Sequence, residues 1–303
     1  MVAVCLPCIH ERKTFVSTLQ TSLLPQERGG DFADITHDER MKSICNFHTH
    51  TELCQHAKGC VQDYVEQAAT EGCSALGFSD HCPYPDDFGD YWPDIRMSVE
   101  EAHEYTEQIA RARESSPFPI YQGYECEWDA LYEGWYDELV GSFGAEYLVL
   151  GSHWVNSGSD HIYICNVESP SLLNTYIDQT IEGMKSGKFA YLAHPDLFMS
   201  GQKEWDEQAR ACSQAILDAA VDLDLPIEIN GLGINRRARN TKRGMRYPYP
   251  FVEFWEMAAM TSVRVICNSD AHDPHDVIMN AWKARDFASR FGIEPIEELD
   301  FQS

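Results

Sequence analysis

Imidazoles and carboxylates recur in this sequence at one kind of position. His48 and His50 stand two apart in Cys-Asn-Phe-His-Thr-His, Asp80 and His81 adjoin in Gly-Phe-Ser-Asp-His, and Glu125 ends Gly-Tyr-Glu. His153 ends Gly-Ser-His, His194 ends Leu-Ala-His, and Asp270 and His272 share Ser-Asp-Ala-His. Such a set, without thiolates, suits divalent zinc, manganese or iron better than a structural cysteine-rich site. Residues two apart on an extended chain point the same way, so His48 and His50 can bind one ion together. A single histidine at a strand end is ordinarily a hydrogen-bonded core or surface residue. The recurrence is what points to metal chemistry.

The elements that must position these residues follow from periodicity. From Met41 onward, short runs rich in β-branched and aromatic residues alternate with amphipathic stretches of helical length, the pattern of βα units around a parallel sheet. Strands are expected at 43–48, 74–79, 119–125, 146–152, 188–194, 225–230 and 263–269. Helices are expected near 61–71, 98–114, 133–142, 171–185, 203–221, 250–260 and 274–290, the second opened by a Ser98/Glu101 capping box. The candidate residues then fall at the carboxyl ends of strands, the edge of a closed βα barrel where active sites are built. No Pro/Gly/Ser-rich linker divides 42–295. Residues 1–41 are expected to be a poorly packed extension and 42–303 a single α/β domain. His10, His37, His103, His161 and His275 are taken as ordinary polar residues, His103 within a helix and His161 in a turn-rich segment.

Composition narrows the function. A 44% hydrophobic and 24% charged chain is globular, neither disordered nor fibrous. The net charge of −26 argues against a nucleic-acid partner, because binding a phosphate backbone needs cationic surface. No apolar run approaches the roughly 20 residues needed to span a bilayer, and the opening residues lack the pattern of a secretory signal, so no membrane partner and a cytoplasmic location are expected. The cysteines are scattered apart from Cys5 and Cys8, and are expected to be reduced, packed thiols.

The ordered motifs His48-Thr-His50 with His56, Asp80-His81, Glu125, His153, His194-Pro195 and Asp270-Ala271-His272 resemble those of the PHP (polymerase and histidinol phosphatase) family over roughly residues 42–295. The stretches HTHTELCQHAKG and GFSDHCPYP resemble its histidinol-phosphatase branch. The resemblance implies a distorted seven-stranded (β/α)7 barrel holding two to three divalent ions (Zn, Mn or Fe). By this likeness His48, His50, Glu125 and Asp270 hold the first ion and Glu125 bridges to a second held by His153 and His194. A third is held by His56, His81 and His272. It also implies hydrolysis of a small phosphate monoester, L-histidinol phosphate in histidine biosynthesis, by a hydroxide bridging two metals. A PHP phosphoesterase acting on nucleotides or another small phosphate is the alternative reading, and a non-catalytic metal-binding barrel a further one.

Six basic residues, Arg236, Arg237, Arg239, Lys242, Arg243 and Arg246, crowd into eleven positions just after the sixth strand. Arginine's fork suits phosphate, so Arg236, Arg237 and Arg239 are candidate phosphate ligands over the same mouth. Glu228-Ile-Asn230 followed by Arg236 is similar to the family's sixth-strand pattern, with the arginine displaced by about one residue. The long segment 82–97 is expected to form a lid, with Tyr84, Asp86, Asp87, Tyr91 and Trp92 meeting the cationic end of an amino-alcohol phosphate. Asp80, beside His81, is the candidate general acid, and Arg236 a second candidate for catalysis.

Overall fold

The computed structural model describes residues 44–85, 93–157, 160–299 and 301. Seven strands form one parallel sheet in sequence order: β1 (Ile44–Asn46), β2 (Cys73–His81), β3 (Ile120–Cys126), β4 (Tyr147–Leu150), β7 (Tyr191–Leu192), β8 (Ile227–Asn230) and β11 (Val265–Asn268). The sheet nearly closes on itself. Thr49 and Ala271 form a parallel bridge between its two edges, and His50 N donates to Ala271 O at 3.0 Å. The seven expected strands are the seven of the barrel.

Between them run α1 (Val61–Glu71), α2 (Glu101–Ser115), α3 (Glu133–Gly141), α4 (Pro170–Lys185), α5 (Glu207–Asp222), α7 (Val252–Ala258) and α8 (Met279–Ser289). In α5 the buried residues Ala209, Cys212, Ser213, Ile216, Leu217 and Ala220 keep helical spacing, so one stripe faces the barrel. The Ser98/Glu101 box forms as expected: Ser98 N and Oγ donate to Glu101 Oε2 at 2.8 and 2.9 Å, and Glu101 N to Ser98 Oγ at 3.2 Å.

The periodicity did not reveal two antiparallel hairpins, β5 (Trp154–Ser157) with β6 (Asp160–Tyr163) and β9 (Arg239–Thr241) with β10 (Gly244–Arg246), or the short helix α6 (Gly231–Asn235). Their strands are three or four residues long, too short to show alternation. His161 therefore lies on β6, exposed, with Nδ1 2.7 Å from Asn156 Oδ1. β4 and β7 also stop short of the expected 152 and 194, because Ser152 and His194 turn into the left-handed region at φ 49° and 30°.

One apolar cluster fills the space between sheet and helices, and a smaller one plugs the barrel lumen with Phe47, Tyr147, Tyr191 and their neighbours. The hydroxyls of Tyr147 and Tyr191 each donate to Phe47 O at 2.9 Å. Tyr147 fits only because Gly123 lacks a side chain; a Cβ there would lie 2.6 Å from the ring. The described cysteines are all free, as expected, while Cys5, Cys8 and the 1–41 extension lie outside the described residues. No helix among the described residues is long and apolar enough to cross a membrane.

Candidate metal centre

The strand ends bring the expected side chains together above the lumen plug. β2 and β3 pair in a register that sets His81 beside Glu125. Glu125 is 3% exposed, and its two oxygens face different partners. Oε2 lies 3.5 Å from His48 Nε2, 3.5 Å from His50 Nε2 and 3.2 Å from His81 Nδ1. Oε1 lies 3.0 Å from His194 Nε2 and 3.6 Å from His153 Nε2. Asp270 Oδ1 approaches His50 Nε2 at 3.2 Å, His48 Nε2 at 3.6 Å and His272 Nδ1 at 3.5 Å. His56 Nε2 and His272 Nε2 are 2.9 Å apart.

Five groups with ligand atoms within 4.8 Å of one another emerge among the described residues: His48, His50 and Asp270; Glu125, His153 and His194; His50, His81 and His272; and two that include Cys54, one with His56 and His272 and one with His50 and Asp80. All nine histidines and acids expected as ligands converge. Gly151 permits the second group, since a Cβ there would meet both Glu125 Oε1 and His153 Cε1 at 2.9 Å.

The ring nitrogens turned away from this cluster are mostly occupied. His48 Nδ1 is held by Glu228 Oε1 at 2.8 Å, His153 Nδ1 by Glu127 Oε1 at 2.6 Å, His56 Nδ1 by Cys54 O at 2.8 Å and His272 Nδ1 by Asp270 O at 3.1 Å. Such outer contacts fix tautomer and ring orientation in metal sites. In contrast, His48 Nε2, both ring nitrogens of His50 and His194 Nδ1 are buried without a hydrogen bond. A buried polar atom left unpaired costs about 1–3 kcal/mol, so several orphans in one place require a ligand. The residues fit divalent ions.

Electrostatics divides the cluster. Burial pulls His48 down, but Glu228, Asp270 and Glu125 outweigh it and hold the imidazole well above its ordinary range. His50 is raised likewise, burial being outweighed by Asp270 and Asp80. His56, His81 and His272 go the other way, lowered by burial and then by His50, and so stay neutral as metal ligation requires. Burial pushes Glu125 and Asp270 up, but the surrounding histidines hold both well below the carboxylate range. One half of the cluster thus asks for positive charge, and the other offers neutral donors.

The basic segment separates by geometry. Arg246 pairs with buried Glu253, Nε to Oε2 at 3.1 Å, and Arg239 donates to the carbonyls of Ser200 at 3.1 Å and Met199. Arg237 is exposed. Arg236 is exposed as well, and its guanidinium is held above its ordinary range by Tyr249 beside it, against burial, with Asp270 and Tyr163 adding to the effect.

One placement corrects an expectation. Tyr84 is buried rather than on a lid, and its hydroxyl donates to Glu127 O and accepts from Glu127 N, both at 2.9 Å. Asp80 is fully buried, its Oδ2 accepting from Thr51 N at 2.9 Å and Thr51 Oγ1 at 2.5 Å, its Oδ1 from His81 N at 3.0 Å. Both of its oxygens are thus engaged, and Oδ1 also stands 3.5 Å from His50 Nδ1. Asp86, Asp87, Tyr91 and Trp92 lie outside the described residues.

Sequence reasoning missed Glu127 altogether and gave Glu228 no role. Glu127 sits two residues after Glu125, a spacing that returns a side chain to the same side of a strand, and this was the available signal.

A PHP domain model matches residues 46–231 of the chain. A protein of Deinococcus radiodurans named probable histidinol-phosphatase is 26% identical over 245 residues, covering 78% of this chain and 89% of its own length. A Thermotoga maritima protein of the same name is 24% identical over 238 residues, covering 77% and 86%. Among solved structures, histidinol phosphate phosphatase of Lactococcus lactis, complexed with zinc, L-histidinol and phosphate, aligns with a TM-score of 0.63 at 14% identity, over 85% of this chain and 99% of that one.

Proposed function

The chain belongs to the PHP family, and on that premise we propose that it is a metal-dependent phosphomonoesterase hydrolysing L-histidinol phosphate to L-histidinol and phosphate. The observation that carries this reading is Glu125, whose two oxygens serve two separate sets of imidazoles as a bridging carboxylate would. The relatives named histidinol-phosphatases, and the neighbour binding zinc, histidinol and phosphate, favour that substrate over other small phosphates.

His48, His50, Glu125 and Asp270 would hold one ion, Glu125, His153 and His194 a second, and His56, His81 and His272 a third. Ions bound there would polarise the phosphoryl oxygens and make water a stronger acid, the chemistry a phosphate ester needs at neutral pH. The chain's own residues do the rest. Glu228 and Glu127 hold His48 and His153 with a fixed nitrogen turned inward, and Asp80 steadies Thr51 and His81 at the rim. Arg236 takes the phosphate at the mouth, where its fork can bind two oxygens at once. In a chain of net charge −26 it also supplies a local cationic focus for a dianionic substrate.

Steady-state assays of zinc-, manganese- and iron-loaded protein against histidinol phosphate and a panel of nucleotides and sugar phosphates test the proposal. A kcat/KM highest for histidinol phosphate is expected. A higher value for a nucleotide would overturn the substrate, and inactivity on every monoester with all ions bound would overturn the enzyme.

A further inference from the structure

Thr51 caps a tight turn over Glu52–Cys54, and Gln55 reverses the chain at φ 66°, so that Cys54 and His56 both turn back toward the cluster. Cys54 is completely buried. The other buried cysteines, 45, 82, 126, 212 and 267, pack in the two apolar clusters, but Cys54 belongs to neither. Its surroundings are polar instead. The Cys54 sulfur and one ligand atom each of His56 and His272 lie within 4.8 Å of one another, and it forms a second such set with His50 and Asp80. His50 Nδ1, fully buried, makes no hydrogen bond. A packed structural thiol would sit among carbons; this one sits among imidazole and carboxylate atoms.

We propose that the Cys54 thiolate is a ligand of the third ion beside His56 and His272, making that position a zinc-preferring thiol site in an otherwise nitrogen- and oxygen-lined centre. The inference rests on the three-ion reading above. Zinc takes sulfur at about 2.3 Å and imidazole nitrogen at about 2.0–2.1 Å, so two ligand atoms on one ion stand up to about 4.3 Å apart. In the tetrahedral arrangement zinc prefers, such atoms stand about 3.3–3.6 Å apart, so movements of up to about 1 Å bring all three onto one ion. Charge favours it too. Imidazole is a neutral ligand, so a thiolate beside three imidazoles would add one negative charge directly to the ion. On binding, the thiol and the divalent ion give a sulfur–metal bond and one proton released to solvent, with no electron transferred. Softness follows as well, since thiolate ligands select zinc over manganese.

The test is to load the full chain with cobalt(II) and follow the near-ultraviolet charge-transfer absorption that only a thiolate–cobalt bond gives, together with bound-metal stoichiometry. Wild type is expected to bind three equivalents and develop the band with one of them. Cys54→Ser and Cys54→Ala are expected to lose the band and to bind that ion about 10-fold or more weakly. Zinc-edge X-ray absorption of the wild-type protein needs no variant, and one sulfur at about 2.3 Å is expected. Three bound ions without band or sulfur, or a band that survives both substitutions, would overturn the thiol ligand and leave the three-ion centre standing. A wild-type protein that binds fewer than three ions would overturn both.

Discussion

Glu228→Gln is the substitution that tests most sharply how this centre is held. Glu228 is fully buried and accepts four hydrogen bonds: His48 Nδ1 at 2.8 Å and Asn268 Nδ2 at 3.0 Å on Oε1, His194 N at 3.1 Å and Asn230 Nδ2 at 2.9 Å on Oε2. Glutamine has the same shape but offers one acceptor oxygen and one amide donor. If the amide faces His48, Nδ1 must become an acceptor, the ring proton moves to Nε2, and the nitrogen needed for the ion is blocked. If it faces His194, two donors meet two donors, each left unsatisfied at about 1–3 kcal/mol. Outer-sphere losses of this kind cost about 10–100-fold in metal affinity, or roughly 1.4–2.8 kcal/mol. Competition against a zinc chelator, with circular dichroism to establish that the barrel is folded, measures this directly. A folded variant with zinc affinity within twofold of wild type would refute the orienting role.

Arg236→Ala is expected to leave metal content intact and to lower kcat/KM about 10-fold or more, roughly 1.4 kcal/mol, whereas Arg237→Ala changes little. Arg239→Ala is expected to lower Tm instead, because its donors serve the Ser200 and Met199 carbonyls; three near-wild-type variants would remove the phosphate role. Chelating the metal should lower Tm by about 5–10 °C for each ion that was present at about 100 times its dissociation constant, and an unchanged melting curve would count against a resident centre. Expressing the chain from Met41 is expected to give the solubility and activity of the full sequence, so loss of either would assign residues 1–40 a structural part.

The barrel was legible because each strand is a short apolar run bounded by turn signals, and a parallel strand buried on both faces needs little else. That these histidines and acids would converge was legible for a related reason: a polar titratable residue ending such a run has few structural uses. Glu228 was seen but not understood, since a carboxylate inside a strand carries no mark of which imidazole it will hold 180 residues away. Tyr84 misled because proline-, aromatic- and acid-rich sequence reads as a loop, while its burial depends on meeting the Glu127 backbone from β3, a contact local pattern does not contain. The basic run read as one feature although its members go to different partners, Glu253 for Arg246 and backbone carbonyls for Arg239, and the β9–β10 hairpin is what carries these two apart.

Strain marks the same place that chemistry does. Among the described residues five non-glycine positions adopt the left-handed backbone, and four of them, Gln55, Ser152, His194 and Asp270, belong to or adjoin the cluster of candidate ligands. Each costs on the order of 1–3 kcal/mol unless surrounding structure compensates. Buried imidazoles without hydrogen bonds add to that cost, and so do the two carboxylates held ionised in the interior. A chain selected for stability alone would have neither feature. The lumen below is the opposite: Phe47, Tyr147 and Tyr191 are packed, and both tyrosine hydroxyls are satisfied. The rigid plug therefore serves as the floor that over-determines the strand ends, and ions bound at the rim would return the stability that the strained, unpaired side chains withhold. Losing metal should then loosen the rim first and leave the floor of the barrel intact.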